Sequence, residues 1–227
     1  MRIDIISVVP RLLDGPFAHS ILQRAQDKGL LEVHVHDLRP YGIGKHKSLD
    51  DYAFGGGAGM VMRLEPLVTL TEELQAQRAY DEVIFLTPDG ETLTQGRCNA
   101  LSLRQNLLLV CGHYKGIDQR YRDHFVSLEL SIGDYVLSGG ELAAAVLTDA
   151  IGRLLPGVLN DETSALTDSH QDGLLAPPVY TRPAEFRGWT VPPVLLSGHE
   201  GKVQAWRESQ AEERTRARRP DLLGEED

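Results

Sequence analysis

Three apolar runs, Val83–Leu86, Leu107–Val110 and Val126–Ile132, each lead straight into a glycine-bearing turn. The first turn is Thr87-Pro88-Asp89-Gly90. The second is Cys111-Gly112-His113-Tyr114-Lys115-Gly116-Ile117-Asp118. The third carries Gly133, Gly139 and Gly140, and a helix opens after it at Glu141. Glycine adopts φ > 0 and lets another molecule approach the main chain closely. In open α/β sheets, ligands bind outside the carboxyl ends of the strands. The three loops are therefore expected to converge on one site cradled by backbone groups. The plainer reading, three ordinary turns, stays open on these residues alone.

The rest of the chain alternates in the same way. Ile3–Val9 reads as a buried strand, and Leu12–Lys28 has helical spacing that Gly29 stops. Leu31–His36 alternates at period two, which marks a half-buried strand with His34 and His36 on its polar face. Tyr41–Gly59 reads as a long loop. Helices are expected over Glu65–Ala79, Thr94–Arg104, Ile117–His124 and Glu141–Leu155. Strands alternating with helices imply an α/β fold with a largely parallel sheet. Residues 158–176 turn polar and read as an interdomain linker. Little regular structure is expected over Tyr180–Pro193, and a helix over about Lys202–Arg216. The expected organisation is a catalytic domain over 1–157, the linker, and a small, mainly helical C-terminal domain over 177–227.

Composition excludes several classes. No apolar run approaches the ~20 residues that span a bilayer, and the N-terminus lacks the features of a signal peptide, so a cytoplasmic protein with no membrane partner is expected. The net charge is −10. Residues 1–160 carry 15 basic and 20 acidic side chains, and residues 161–227 carry 8 and 13. Neither part is a basic module, so any nucleic-acid contact must be local, as around Arg214–Arg219. Cys98 and Cys111 make no disulfide framework or zinc motif. The His34-x-His36 pair has no third ligand placed by sequence, so no metal site is assigned. Gly55–Gly59 lacks the Gly-Lys-Ser/Thr ending of a triphosphate loop, and Met60 stands where a dinucleotide fingerprint needs its third glycine.

The chain resembles the bacterial tRNA (guanine-N1)-methyltransferase family TrmD, within the SPOUT superfamily. The resemblance rests on Asp51 through Gly55-Gly56-Gly57-Ala58-Gly59-Met60, Gly112–Arg120, Ser131–Glu141 and Arg153–Leu159. It continues through Asp168-Ser169, Tyr180-Thr181-Arg182-Pro183, Val194–His199 and Arg219–Leu223, in colinear order over nearly the whole length. It implies a SPOUT-type parallel sheet with a C-terminal trefoil-knot region in the first domain. It implies S-adenosylmethionine bound by Pro88, Gly90, Gly112, Tyr114, Ile132, Gly133, Tyr135, Leu137, Gly139 and Gly140. The methyl acceptor would be N1 of the guanosine 3′ of the tRNA anticodon, with Asp168 as general base and Arg153 orienting the site. The resemblance also implies a homodimer in which Asp168 and Ser169 serve the partner's cofactor site. Ser169, Tyr180, Arg182, His199 and Lys202 are the candidate contacts to the anticodon stem-loop. Mg2+ suits the family's carboxylate chemistry, but no residue here is assigned to it.

The pattern departs from the family at several points. The family usually has Arg and Glu where this chain has His113 and Lys115. His170 replaces a Phe, Glu200 follows Gly198-His199, and Ala53-Phe54 and Ala58 replace Pro-Tyr and Pro. Two other classes stay open: a non-catalytic binding paralogue, suggested by Lys115, and a SPOUT enzyme with another RNA target. Retention of Arg153 and Asp168 weighs against the first, and the long C-terminal match against the second.

Overall fold

The computed structural model describes residues 1–159 and 167–224. The chain divides into two compact units, Met1–Asn160 and Asp161–Asp227.

The first unit is built on a five-stranded sheet. Its strands are β1 (Arg2–Ser7), β2 (Glu32–Asp37), β5 (Glu82–Thr92), β6 (Asn106–Cys111) and β7 (Leu128–Ser131). They lie in the order β2-β1-β6-β5-β7, and every pairing is parallel. A separate antiparallel pair, β3 (Asp50–Tyr52) and β4 (Met60–Met62), sits in the glycine-rich stretch that the sequence suggested was all loop.

The strand register explains the two apolar layers. Successive side chains on a strand face opposite ways. Leu107, Leu109 and Cys111 therefore join Ile3, Ile5, Ile84 and Leu86 on one face. Leu108 and Val110 join Ile6, Val83 and Phe85 on the other. Helices α1 (Ser20–Asp27), α3 (Gln95–Ser102) and α5 (Glu141–Gly152) cover the first face, through residues such as Leu22, Leu101, Ala144 and Leu147. Helices α2 (Leu64–Gln77) and α4 (Gln119–Phe125) cover the second, through Leu67, Leu70, Leu74 and Tyr121. Burial on both faces is the reason these strands read as continuous apolar runs. Both cysteines are buried and free.

Three boundaries differ from the sequence reading. Leu12–Lys28 is not one helix: a 3-10 turn at Pro10–Leu13 is separated from α1 by Gly15-Pro16, where proline interrupts helical bonding. β5 does not stop at Leu86. It resumes pairing with β7 at Glu91, and residues 87–90 bulge out between the two registers. The second unit carries a short hairpin where irregular chain was expected. Its strands are β8 (Glu185–Phe186) and β9 (Trp189–Thr190), and the unit's long helix is α6 (Glu200–Arg218). Within that unit the buried Thr215 hydroxyl donates to the Ala211 carbonyl (2.7 Å) and accepts from the Leu175 amide (2.9 Å).

Asp4 anchors the edge of the sheet. It is fully buried on β1 and accepts two bonds from Arg2 (2.8 and 2.9 Å) and one from the Tyr80 hydroxyl (2.9 Å). His36, on β2, meets it at 2.7 Å, so this histidine supports the fold rather than a metal. Burial pushes the Asp4 carboxyl up, but the bonds from His36, Arg2 and Tyr80 outweigh it and hold the group well below the usual carboxylate range. A depressed folded-state pKa adds stability above the unfolded value of about 3.9 and loses it as pH falls below that. Asp4→Asn is expected to cost about 3 kcal/mol at pH 7 by urea denaturation. The gap from the wild type should shrink below about pH 4.

Candidate active site

The carboxyl ends of β5, β6 and β7 carry the three glycine-bearing loops. Because β6 and β7 lie on opposite sides of β5, the chain leaving β7 must cross the end of β5 to reach that of β6. It does so through residues 132–140. The crossing ends where the Gly140 amide donates to the Gly112 carbonyl (2.9 Å), with a backbone bridge between His113 and Gly139.

The contact leaves no room for side chains. A Cβ on Gly140 would lie 2.8 Å from the Cys111 Cα and 3.0 Å from the Gly112 amide nitrogen. A Cβ on Gly112 would lie 2.9 Å from the Phe85 ring. Glycine is required by close approach of backbone at Gly140 and of the Phe85 ring at Gly112, with neither residue at positive φ. Gly133 differs, since its φ of +149° lies in the glycine-favoured region.

Each loop is fastened to the scaffold. Arg122 on α4 donates to Glu129 (2.6 and 2.7 Å) and to Asp89 (2.8 Å), with its guanidinium 5.3 Å from the Phe85 ring centroid. Thr87 also donates to Asp89. Bonds from Thr87 and Arg122 hold the Asp89 carboxyl below its usual range. In the second loop, the Lys115 amide donates to the Met60 carbonyl (2.9 Å), and the Gly116 carbonyl accepts from the Met62 amide (2.9 Å). Asp118 caps α4 by accepting from the Arg120 amide. In the third, the Ser131 hydroxyl donates to the Gly133 carbonyl (2.9 Å).

Behind the loops runs a buried polar chain. Glu141 is the first residue of α5 and is 1% exposed. The Ser7 hydroxyl donates to one of its oxygens (2.6 Å), and His113 Nε2 meets the other at 2.9 Å. A carboxylate at a helix N-terminus is favoured by the helix dipole.

These loops enclose a cavity of about 430 Å³. Pro88, Gly112, Tyr114, Ile132, Gly133, Tyr135, Leu137, Gly139 and Gly140 line it together. Gly90 does not. Its Cβ position would lie 2.6 Å from the backbone of Glu129 and Leu130, so this glycine closes the bulge against β7. The cavity also takes in Phe85, Asp89, His113, Lys115, Arg122 and Ser138. Of these, Arg122 gave no signal in the sequence, because its importance lies in pairing across α4, β5 and β7. Lys115 lines the cavity at the position where the resemblance has an acidic residue. A Cβ on Gly59 would lie 2.8 Å from the Lys115 stem, so the β3–β4 glycine loop packs on this side chain. Burial, with the nearby Asp50 charge, raises the Tyr114 phenol above its ordinary pKa.

The remaining candidates lie elsewhere. Arg153 caps α5 at its carboxyl end, in the first unit. Asp168 and Ser169 belong to the second unit. There the Asp168 carbonyl accepts from the Gln171 amide (3.4 Å), and the Ser169 hydroxyl accepts from Ala176 (2.9 Å). Tyr180 and Arg182 line a second cavity of about 310 Å³ within that unit. His199 is the N-cap of α6, and Lys202 lies in its first turn. Residues 160–166 of the expected linker lie outside the described residues. Among the described residues, no group of three or more His, Cys, Asp or Glu side chains is placed to hold a metal ion. Among them, too, no helix is long and apolar enough to cross a membrane.

Gly140→Ala is expected to cost about 1–3 kcal/mol, read as a lower Tm, because the methyl meets backbone that cannot swing away. Gly201→Ala, in α6 with open space around it, should be neutral or stabilising by up to about 1 kcal/mol.

Comparison with known proteins agrees with this architecture. Residues 1–225 match the family described as tRNA (Guanine-1)-methyltransferase TrmD. A tRNA (guanine-N(1)-)-methyltransferase of Christiangramia forsetii is 62% identical over 226 residues, covering 100% of both chains. The protein of the same description from Flavobacterium johnsoniae is 61% identical, over 99% of this chain and 100% of its own. That of Bacteroides fragilis is 60% identical, over 98% and 99%. The chain belongs to the tRNA (guanine-1)-methyltransferase family TrmD.

Proposed function

We propose that this protein transfers a methyl group from S-adenosylmethionine to N1 of the guanosine 3′ of the anticodon in tRNA. The observation that carries the reading is the loop cavity, in a chain that belongs to this family over almost all its length. Flat apolar walls with a few fixed polar groups suit an adenosyl ligand. Ile132, Leu137 and Pro88 supply apolar wall. Gly112, Gly139 and Gly140 line the cavity too, and their Cβ positions are taken by the protein's own atoms, so the loops close tightly around it. S-adenosylmethionine, when bound, supplies an electrophilic methyl group.

The chain's own residues then serve proton removal. Guanine N1 carries a proton at neutral pH, and its attack on a methyl group requires a base. Asp168 takes that proton in this reading, and Arg153 stabilises the negative charge that develops on the guanine as it leaves. The two residues belong to different units. As the family resemblance implies, the reading includes a homodimer in which Asp168 and Ser169 of one subunit serve the cavity of the other. Leu142 and Val146 support this: they are exposed by 52% and 49%, one turn apart on α5, and Val136 and Leu137 are also exposed. The trefoil knot, the 1–157, 158–176 and 177–227 division, RNA contact by Tyr180, Arg182, His199 and Lys202, and a cytoplasmic location belong to the same reading.

Labelled S-adenosylmethionine and an unmodified tRNA with guanosine 3′ of the anticodon test it, with the product mapped by mass spectrometry. N1-methylguanosine at that position is expected. Asp168→Ala should lower kcat by roughly 10²–10⁴-fold with cofactor affinity unchanged. Cofactor binding without transfer would instead favour the binding-paralogue reading. Leu142→Asp combined with Val146→Asp should yield an inactive monomer in sedimentation. A monomer that still turns over would overturn the shared site.

A further inference from the structure

The hairpin of the second unit is built against its own backbone preference. Phe186 and Trp189 are paired across the β8–β9 ladder, so only Arg187 and Gly188 form the turn. Both have positive φ, +55° and +83°. A two-residue hairpin turn of this kind favours Asn-Gly, because few side chains tolerate the left-handed region. Arginine there gives up stability that asparagine would keep. Non-glycine residues held at such angles concentrate where function requires them.

What the arginine gains is a position. Its guanidinium lies 5.1 Å from the centroid of the Phe186 ring and makes no hydrogen bond or ion pair among the described residues. Phe186 and Trp189 meet with ring centroids 6.0 Å apart, yet remain exposed by 52% and 70%. Glu185, the acidic residue of the hairpin, sits one register step below the tip, opposite Thr190. One step further down, the Val191 amide donates to the Ala184 carbonyl (2.9 Å). Ala184 and Val191 also line the 310 Å³ cavity, with Tyr180, Arg182 and Arg207. A half-exposed phenylalanine covered by a guanidinium and a more exposed tryptophan thus stand at the end of a hairpin rooted in an arginine-bearing wall.

We propose that this hairpin tip is a stacking platform for an unpaired nucleobase of the RNA substrate. Trp189 takes the base on its exposed face, and Arg187 takes the adjoining phosphate. This rests on the tRNA reading above and adds a site to it. Exposed aromatics bind single-stranded bases by stacking, and a neighbouring cation holds the backbone. Such a local device suits a unit whose overall charge is negative.

The test uses the full chain and an anticodon stem-loop RNA. Wild-type tryptophan fluorescence should be quenched on titration with the stem-loop, and far less with a fully paired stem. Trp189→Ala should weaken binding roughly tenfold or more. Trp189→Phe should keep most of the affinity and reduce the quench to what Trp206 alone contributes. Arg187→Asn suits the turn better, so it should fold at least as well. It should weaken binding and reduce the slope of log affinity against log salt by about one. A structural role for Arg187 would not move that slope. Wild-type affinity and quench in Trp189→Ala would overturn the platform while leaving the enzyme reading intact. A change of sedimentation with unchanged RNA affinity would overturn it too, by assigning the tip to protein contact. Failure of the wild type to methylate tRNA would fall on the enzyme reading instead.

Discussion

The cavity depends on one close contact: the main chain at Gly139-Gly140 lies against the main chain at Cys111-Gly112. The chain leaving β7 has to pass the end of β5 and reach β6, and it arrives with no space for a Cβ. Once there, the Gly140–Gly112 bond starts α5, and Glu141 follows at once. A buried carboxylate is costly unless its oxygens are occupied. Ser7 occupies one and His113 the other. The acid therefore ties the end of β1, the loop after β6 and the start of α5 to one point. These contacts fix the position of the loops at the cavity.

The same logic explains how much of the molecule was legible in its sequence. Parallel strands buried on both faces are apolar at most positions, so β1, β5, β6 and β7 stood out as runs despite Asp4 in β1 and Glu129 in β7. Helix α5 stood out because Ala143, Ala144, Leu147 and Ile151 all face the sheet. Glycines with no room for a Cβ have no substitute, which fits the attention drawn to Gly112, Gly139 and Gly140: they meet the Phe85 ring, the His113 and Glu141 side chains, and the Cys111 backbone respectively. Boundaries were less legible. The helix expected over Leu12–Lys28 fails at Gly15-Pro16, which the periodicity of its apolar residues masked. The β8–β9 hairpin was missed because its strands have two residues each, too short for any alternation to show.

Pairings across long separations were hidden for a different reason. Nothing local marks Arg122 as the residue that joins Asp89 to Glu129, or Tyr80 and His36 as partners of Asp4. Gly90, which the resemblance groups with the cofactor glycines, shows a second role that only the pairing reveals: it lets the 87–90 bulge rejoin β7. A bulge of this kind re-aims a strand end without ending the strand. That is how Pro88 and Asp89 come to the cavity while Glu91 returns to the ladder.

The acidic balance of the chain and its proposed RNA substrate are compatible on physical grounds. Affinity for nucleic acid through phosphates alone needs many cations, and its salt dependence grows with each. This chain spends several of its arginines on internal pairs: Arg2 with Asp4, Arg97 with Glu91, Arg120 with Asp118, Arg122 with Glu129, Arg219 with Asp221. A protein so arranged has little general attraction for duplex backbone. In the proposed reading it offers shape and stacking instead, from Tyr180 beside Trp206 and from Phe186 beside Trp189, with Arg187 resting on the Phe186 ring. Stacking acts on unpaired bases and ignores paired ones. On the proposed reading, a loop of exposed bases is therefore the part of the RNA that this surface would select.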